Sequence, residues 1–481
     1  MKSKPIALIL IVALLLRLIS LNQSLWLDEA IQWWAVTTFP LKHLITEYIL
    51  GDFNPPLFHI ILWFWVKLAG TSEISLRLPS VLFGTLAVWF VYKIGQFVFP
   101  KKNLAFGIWH LAFPEAAVLL VATGPLLVYY SQEARMYSLT AFTATGTFYS
   151  LLSYRKNPSR LFAICYLLFA TAMLYSHYLT WLLVPLLLIL NPTLTLVSLA
   201  ALIPWLPIFW QQLSQGIATV TINPIWADVV GELSLKNASL IPIKFLLGRI
   251  SIDNNYAYAG VLMIPLGIAA YLLYKALPRK SEKNLKILWS WLILPIILAA
   301  LLALKIPVFS YFRFLFLVPV FYLLMARGLS TLRPKVAITV FIVALLFNLS
   351  ATSVYLFNPK FHRENWQGAS NYIETQTPQN FPVVIYSAVA PPYAYYNREA
   401  REVLSEKELS ETVNYESVWY IPYAQPIFDP ENSIYQTLLD LGFTEVDRRH
   451  FNGVTVIRLR NLNYRFLSSN DFSFFPSTQL P

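Results

Sequence analysis

The feature that most constrains this chain is a series of apolar runs of about 17–21 residues, the length a helix needs to cross a bilayer. The first runs from about Pro5 to Leu21, follows Lys2 and Lys4, and has no small-residue cleavage site, so it reads as a span rather than a removed signal. Further candidates centre near Val88, Leu120, Thr145, Leu168, Leu186, Leu199, Ile264, Leu294, Val320 and Leu345. That makes about eleven spans. Composition agrees: 57% of the 481 residues are hydrophobic and 13% are charged, against about 25% charged in ordinary globular proteins. A soluble enzyme, a disordered tail protein and a fibrous repeat are all excluded. A single cysteine, Cys165, leaves no disulfide framework and no CxxC metal or redox site.

The net charge of +11 divides unevenly along the chain. Up to Leu356 there are 11 acidic and 26 basic residues, a balance of +15. From Phe357 onward 14 acids face 10 bases, a balance of −4. The basic excess therefore belongs to the membrane part, where it reports topology and lipid contact. No basic cluster marks the tail as a nucleic-acid binder.

Lys and Arg in the short loops set the orientation. Lys101 and Lys102, then Arg155, Lys156 and Arg160, then Lys275, Arg279, Lys280, Lys283 and Lys286, then Arg327, Arg333 and Lys335 all fall on the side of the N-terminus. That side is the cytoplasm. The outer face then receives the loop Asn22–Ser80, the turn Ser131–Arg135, His177, the segment Gln211–Tyr256 and the C-terminal region. Residues 1–357 thus form the membrane domain, with an outer loop over about 22–80. Residues 358–481 form a second domain, in which WQGASNYIETQ and SIYQTLLDLGF read as helices. PVVIYSA, SVWYIPYA and GVTVIRL read as strands. The predicted fold is an α-helical polytopic membrane protein, N-terminus in and C-terminus out, with a small extracytoplasmic α/β domain.

The polar residues collected on the outer face are the candidate site. Asp28 and Glu29 follow the first span; as a pair at a membrane surface they cost desolvation and mutual repulsion unless used. Their structural reading is the acidic first turn of an interfacial helix, and their chemical reading is a general base with a partner. Asp52 and Asn54 come next, before a rigid Pro55-Pro56 turn. Arg77 stands at a span entrance, where it reads as a residue snorkelling to lipid headgroups. The hairpin Tyr129-Tyr130-Ser131-Gln132-Glu133-Ala134-Arg135-Met136-Tyr137 carries Arg135 on the outer face, against the charge bias, and so demands an anion: Glu133, a lipid phosphate, or both. Arg313 breaks the bias again, and outer-face arginines suit a phosphate. His177 and Tyr178 share this face.

In order, LDEA, NPPL, SLRLPS, YYSQEARMY, SHY, YFRF and HRENW resemble the polytopic glycosyltransferases of the GT-C class. The nearest type is family 39, which is protein O-mannosyltransferase-like and related to the lipid A aminoarabinose transferase. The resemblance covers nearly all of the membrane part and the start of the tail. It implies that Asp28 is the catalytic base and Glu29 its partner. It also implies that Arg135, with Gln132 and Glu133, and Arg313 contact the donor phosphate. Asp52, Asn54, Tyr137, His177 and Tyr178 are candidate substrate contacts. Many members carry His where this chain has Asn54, so no metal or other cofactor is assigned.

The resulting expectation is transfer of a sugar from a polyprenyl-phosphate donor to a lipid, glycan or protein acceptor, at the extracytoplasmic face of a bacterial inner membrane. The sequence alone leaves two other readings. A lipid or sugar transporter would want ionisable residues at the bilayer midplane, where Glu115 is the only candidate. A non-catalytic scaffold would have no use for the Asp28–Glu29 pair.

Overall fold

The computed structural model describes residues 4–99, 113–222, 225, 231–377 and 379–464. The basic pair Lys101–Lys102 lies outside them. Contacts divide the chain into two units, Met1–Asn22 with Ala35–Phe361, and Gln23–Trp34 with His362–Pro481.

In the first unit a helix covers every apolar run expected to span, from Lys4–Leu18 to Pro334–Phe357. Five are by themselves long and apolar enough to cross a membrane: Glu73–Val98, Asn255–Lys275, Lys283–Leu302, Tyr311–Leu329 and Pro334–Phe357. Two bent pairs raise the number to seven among the described residues. One of the bent pairs is the run near Leu199, broken into Pro192–Ala200 and Ile203–Ile222, while Pro5–Leu18, Arg160–Leu174 and Tyr178–Leu190 are apolar but shorter than the sequence pattern suggests. Exposed Leu161, Ile164 and Leu168 on Arg160–Leu174, and Met263 and Ile264 on Asn255–Lys275, form the faces that lipid would cover.

The helix Tyr137–Lys156, around Thr145, is the polar exception. Its Thr143, Thr145 and Thr147 hydroxyls donate to carbonyls one turn back, at Leu139, Ala141 and Thr143. The side chains thereby satisfy themselves away from water. Small residues on this helix allow close packing: a Cβ at Gly146 would collide with the Phe169 ring.

The run near Leu120 is broken. Phe113–Ala122 and Pro125–Ser131 meet at 53°. Proline at the second helix's start and Gly124 before it account for the bend. The carbonyls freed there find new donors. Asn348 Nδ2 reaches Leu120 O at 3.0 Å, Thr352 Oγ1 reaches Thr123 O at 2.9 Å, and Arg17 Nη1 reaches Ala122 O at 3.1 Å. The bend directs the tyrosine-rich hairpin that follows.

The second unit is a five-stranded sheet of order β2-β1-β3-β5-β4, with β1 Val383–Ile385, β2 Val403–Leu404, β3 Ser417–Ile421, β4 Phe443–Phe451 and β5 Val454–Asn461. β1 pairs in parallel with β2 and β3, and β3, β5 and β4 run antiparallel. Val384, Val418, Tyr420, Ile457 and Leu459 pack with Ile434 and Leu438 of the helix Ser433–Asp440. The expected helices and three expected strands are present, joined by β2 and β4, which the sequence pattern did not suggest. One further difference matters for the site. Gln23–Trp34, expected to open the outer loop of the membrane domain, folds with this second unit. Leu25 N donates to the Tyr396 hydroxyl at 2.8 Å, Gln367 N to Ser24 Oγ at 3.2 Å, and Trp33 packs edge-on to Tyr395.

Candidate active site

Within the membrane unit, Asp52 anchors a buried polar cluster. Its Oδ1 accepts from Asn54 Nδ2 at 2.7 Å. Its Oδ2 faces His59 Nε2 at 3.0 Å and Arg135 Nη1 at 3.5 Å. The double-proline turn starts the helix Leu57–Ala69, and this places His59 in its first turn. Gln212, from the helix Leu206–Ile222, holds the loop from behind by donating to the carbonyls of Ile49, Asp52 and Asn54. Burial alone would raise the Asp52 carboxyl. The charge of Arg135, then His59 and the two side-chain hydrogen bonds, reverse this and hold it well below the usual carboxylate range.

His177 caps the turn of 3-10 helix Tyr178–Leu183, its Nδ1 accepting from Leu179 N at 3.0 Å. With Nδ1 used as an acceptor, the neutral ring carries its proton on Nε2. Burial first, then the charges of Arg313 and Arg135, push this imidazole down to about 3. The ring lies 6.3 Å from that of Tyr137, which meets Phe312 edge-on at 5.7 Å. Arg313 bonds Pro307 O at 3.3 Å. Asp52, Asn54, Arg135, Tyr137, His177 and Arg313 thus come together, joined by His59, which sequence reasoning missed. Its signal was an uncommon residue, one of six histidines in the chain, in the first turn of an apolar helix beside an acid.

The acid pair belongs to the second unit, at the start of the helix Leu27–Thr38. Glu29 is fully buried, 3.6 Å from Arg363 Nε, and accepts from Trp26 N at 3.5 Å. Asp28 is half-buried. Its charge reaches Tyr423, whose hydroxyl donates to Glu364 Oε1 at 3.1 Å. Burial, then Glu364 and Asp28, raise that phenol well above the ordinary tyrosine range. Arg363 and Glu364 come from the HRENW motif, so this motif builds the surroundings of the acid pair.

Other predicted residues have structural work. Gln132 Nε2 donates to Arg17 O and Ile19 O, and its Oε1 accepts from the Tyr355 hydroxyl at 2.7 Å. It therefore ties the end of the first helix. The Tyr178 hydroxyl donates to Gln212 Oε1 and accepts from Trp205 Nε1, which makes it a brace for the clamp on Asp52. Glu133 is buried at 1% exposure. Asp52 is a carboxylate at Arg135, and sequence spacing did not offer it. Arg77 is fully buried and donates to Leu21 O at 2.8 Å, so it does not snorkel.

Among the described residues no three His, Cys, Asp or Glu side chains gather as a metal site. Asp52 and His59 make only a pair, and the oxygen they share is also engaged by Arg135. These residues do not fit a resident metal.

Residues 54–210 match the model of the dolichyl-phosphate-mannose-protein mannosyltransferase family. That segment contains Asn54, His59, Arg135, Tyr137 and His177. No curated protein matches this chain in sequence. Among solved structures the chain is similar to ArnT from Cupriavidus metallidurans bound to undecaprenyl phosphate, at 12% identity and a TM-score of 0.56, over 95% of this chain and 98% of that one. It is also similar to the Archaeoglobus fulgidus oligosaccharyltransferase in complex with Zn and sulfate, at 12% identity and a TM-score of 0.52, over 95% of this chain and 73% of that one. The resemblance read from the motifs points the same way, and the chain shares the fold of these solved structures; its long apolar helices are those of an integral membrane protein.

Proposed function

We propose that this protein is a membrane glycosyltransferase that moves a sugar from a polyprenyl-phosphate donor to an acceptor hydroxyl at the extracytoplasmic face. The observation that carries this reading is the buried cluster of Arg135, Asp52, His59 and His177, seated largely in the segment that matches the mannosyltransferase family. A site outside the cytoplasm has no nucleotide sugars, so its activated sugar arrives on a lipid. The similar ArnT holds undecaprenyl phosphate, a lipid of this chemistry.

The reaction is a displacement at the anomeric carbon. Asp28 takes the proton of the acceptor hydroxyl, whose oxygen bonds to that carbon. The bond to the phosphate oxygen breaks, and its electron pair leaves with the polyprenyl phosphate. Arg313 and Arg135 stabilise the charge that develops there. Asp52, with Asn54 and His59, fixes Arg135, while Glu29 and Arg363 orient the helix that carries Asp28. Neutral His177 offers Nε2–H as a donor, and Tyr137 offers a ring wall for the sugar. One base and no second nucleophile imply inversion, by analogy with the carboxylate logic of glycosidases. In this reading the N-terminus is cytoplasmic and the tail extracytoplasmic.

Asp28→Asn tests it, because the change removes the base without changing shape. Purified and folded, the variant should still bind undecaprenyl phosphate, yet lose transfer by about 100- to 10,000-fold, the usual contribution of a positioned base. Full activity in the variant would remove Asp28 from the mechanism.

A further inference from the structure

The C-terminal unit carries a groove that the reaction above does not use. β3, β5 and β4 align Tyr420 with Ile457 and Ile457 with Arg448, and cross-strand partners share one face of a sheet. Ile434 and Leu438 of the helix Ser433–Asp440 pack on the same face. Between this row, Tyr435 of the helix and the loop before it lies an open space of about 330 Å³, within the range of about 300–1,000 Å³ that small-molecule sites occupy. The loop is firmly set. Asp429 accepts from Ser433 N at 2.8 Å and from Ile434 N at 3.0 Å, and Gln425 Nε2 donates to Asp429 O. Ala424 and Asn432, which both line the groove, hold φ of +51° and +56°, a left-handed conformation that is unfavourable for residues with a Cβ.

Asn432 stands at the capping position of the helix, yet its side chain makes no cap. Asp429 caps instead, and the Asn432 amide is left to the groove. Tyr420 is 2% exposed, and among the described residues its hydroxyl has no hydrogen-bond partner. Burial, then Asp429 and Tyr435, raise this phenol above the ordinary tyrosine range, so it remains a donor. Tyr435 stacks on Tyr420 with ring centroids 5.9 Å apart, and its hydroxyl donates to Glu445 Oε2 at 2.8 Å. Arg448 bonds the same carboxylate through Nε at 2.8 Å and Nη2 at 2.6 Å. The groove thus offers a fixed aromatic ring, with an amide and a phenol left unbonded by the described residues. Its arginine charge is already met.

A sugar ring fits this set: its C–H face packs on an aromatic ring, and its hydroxyls pair with amides and phenols. A phosphate or a carboxylate would have to compete with Glu445 for Arg448. The loop also joins the groove to the proposed base. Tyr423, between Pro422 and Ala424 of the groove wall, donates to Glu364 Oε1 and feels the Asp28 charge. Gln23–Trp34, which holds Asp28, belongs to the same unit. We propose that this groove binds a neutral glycan and holds the acceptor of the transfer reaction. Sugar binding stands on the groove alone, whereas the acceptor role rests on the reading of the chain as a glycosyltransferase. In the competing structural role the groove is a seam between helix and sheet, and the Tyr420 hydroxyl meets only water.

The test uses the full chain in nanodiscs, with mannotriose, cellotriose and N-acetylated chitotriose as probes and trigalacturonic acid as the charged comparator. Wild type should bind at least one neutral probe more tightly than the comparator. Tyr420→Phe should weaken that binding about three- to tenfold, the scale of one neutral hydrogen bond. It should not lower the melting temperature, because no described residue bonds the hydroxyl. Asn432→Gly removes the amide, keeps the left-handed turn and should act in the same direction; it carries the test should the first variant not fold. Binding of no neutral probe, tighter binding of the comparator, or unchanged affinity in both variants overturns the groove as a glycan site. In cells, the double variant should raise the polyprenyl-phosphate sugar pool above the wild-type level; a normal pool beside lost sugar binding overturns the acceptor role. A pool that does not change even when the protein is deleted contradicts the proposed function instead, and the sugar-binding measurements then decide the groove.

Discussion

At the scale of single residues, the membrane unit turns on Asp52. It holds Arg135 and His59 on one oxygen in a buried setting, so Asp52→Asn leaves a buried arginine without this carboxylate. Such a change costs about 3–5 kcal/mol and should appear as a clear drop in melting temperature at neutral pH. The depressed Asp52 carboxyl contributes stability above its unfolded-state pKa, so the contribution is present at pH 7 and lost only in strong acid. His177 gives a second pH signature. Its folded-state pKa is pushed from 6.5 down to about 3, so the unfolded chain binds the extra proton first. Stability tied to His177 is therefore complete above 6.5 and falls as the pH drops from 6.5 toward 3. His177→Asn keeps a capping acceptor and should flatten the melting-temperature profile across that window, without changing it near pH 8. In the sequence, Asp28, Arg135 and Arg313 stood out as charges on the expected outer face or next to a membrane. Asp52 as a partner of Arg135 and Gln212 clamping behind were not legible, because those contacts cross from 52 to 135 and 212 in the chain and no local pattern encodes them; His59 lay close to Asp52 in the chain but inside a helix that reads as plainly apolar. For Gln132, the motif gave no sign of the bonds by which it ties down the first helix.

At the scale of elements, helix packing sets where these residues stand. Gly328, in the helix Val318–Leu329, lies so close to Asn255–Lys275 that a Cβ would collide with the Leu272 carbonyl. Gly328→Ala should therefore destabilise the protein by about 1–3 kcal/mol through overpacking, measured as loss of thermal stability in detergent. Apolar runs were readable element by element because lipid imposes one requirement on all of them. The bend at Gly124-Pro125 was harder to read, since its freed carbonyls are satisfied by Asn348, Thr352 and Arg17 from distant helices. In the C-terminal unit β4 was missed because FTEVDRRHF carries charges throughout. As an edge strand it exposes them to solvent, so the alternation that marks a strand is absent. β2, two residues long, offers no pattern at all.

At the scale of the whole molecule, the division into units changes what the C-terminal domain is for. Gln23–Trp34 folds with it, so the proposed base is built into the C-terminal unit through Arg363, Gln367 and Tyr396. A chain truncated after Phe361 should therefore lose transfer even when it inserts normally, because Glu29 loses Arg363 and the helix carrying Asp28 loses its supports. Insertion and residual activity can be followed in parallel in membranes. The orientation drawn from the basic loops predicts that a reporter active only in the cytoplasm stays dark when fused after Pro481. Lipid-linked sugar profiling of cells that lack this protein and are complemented with either wild type or Asp28→Asn tests the central claim most directly. The account predicts that a polyprenyl-phosphate sugar accumulates in the deletion, returns to its normal level with wild type, and stays high with Asp28→Asn. A pool of polyprenyl-phosphate sugars that is the same in all of these cells would contradict it.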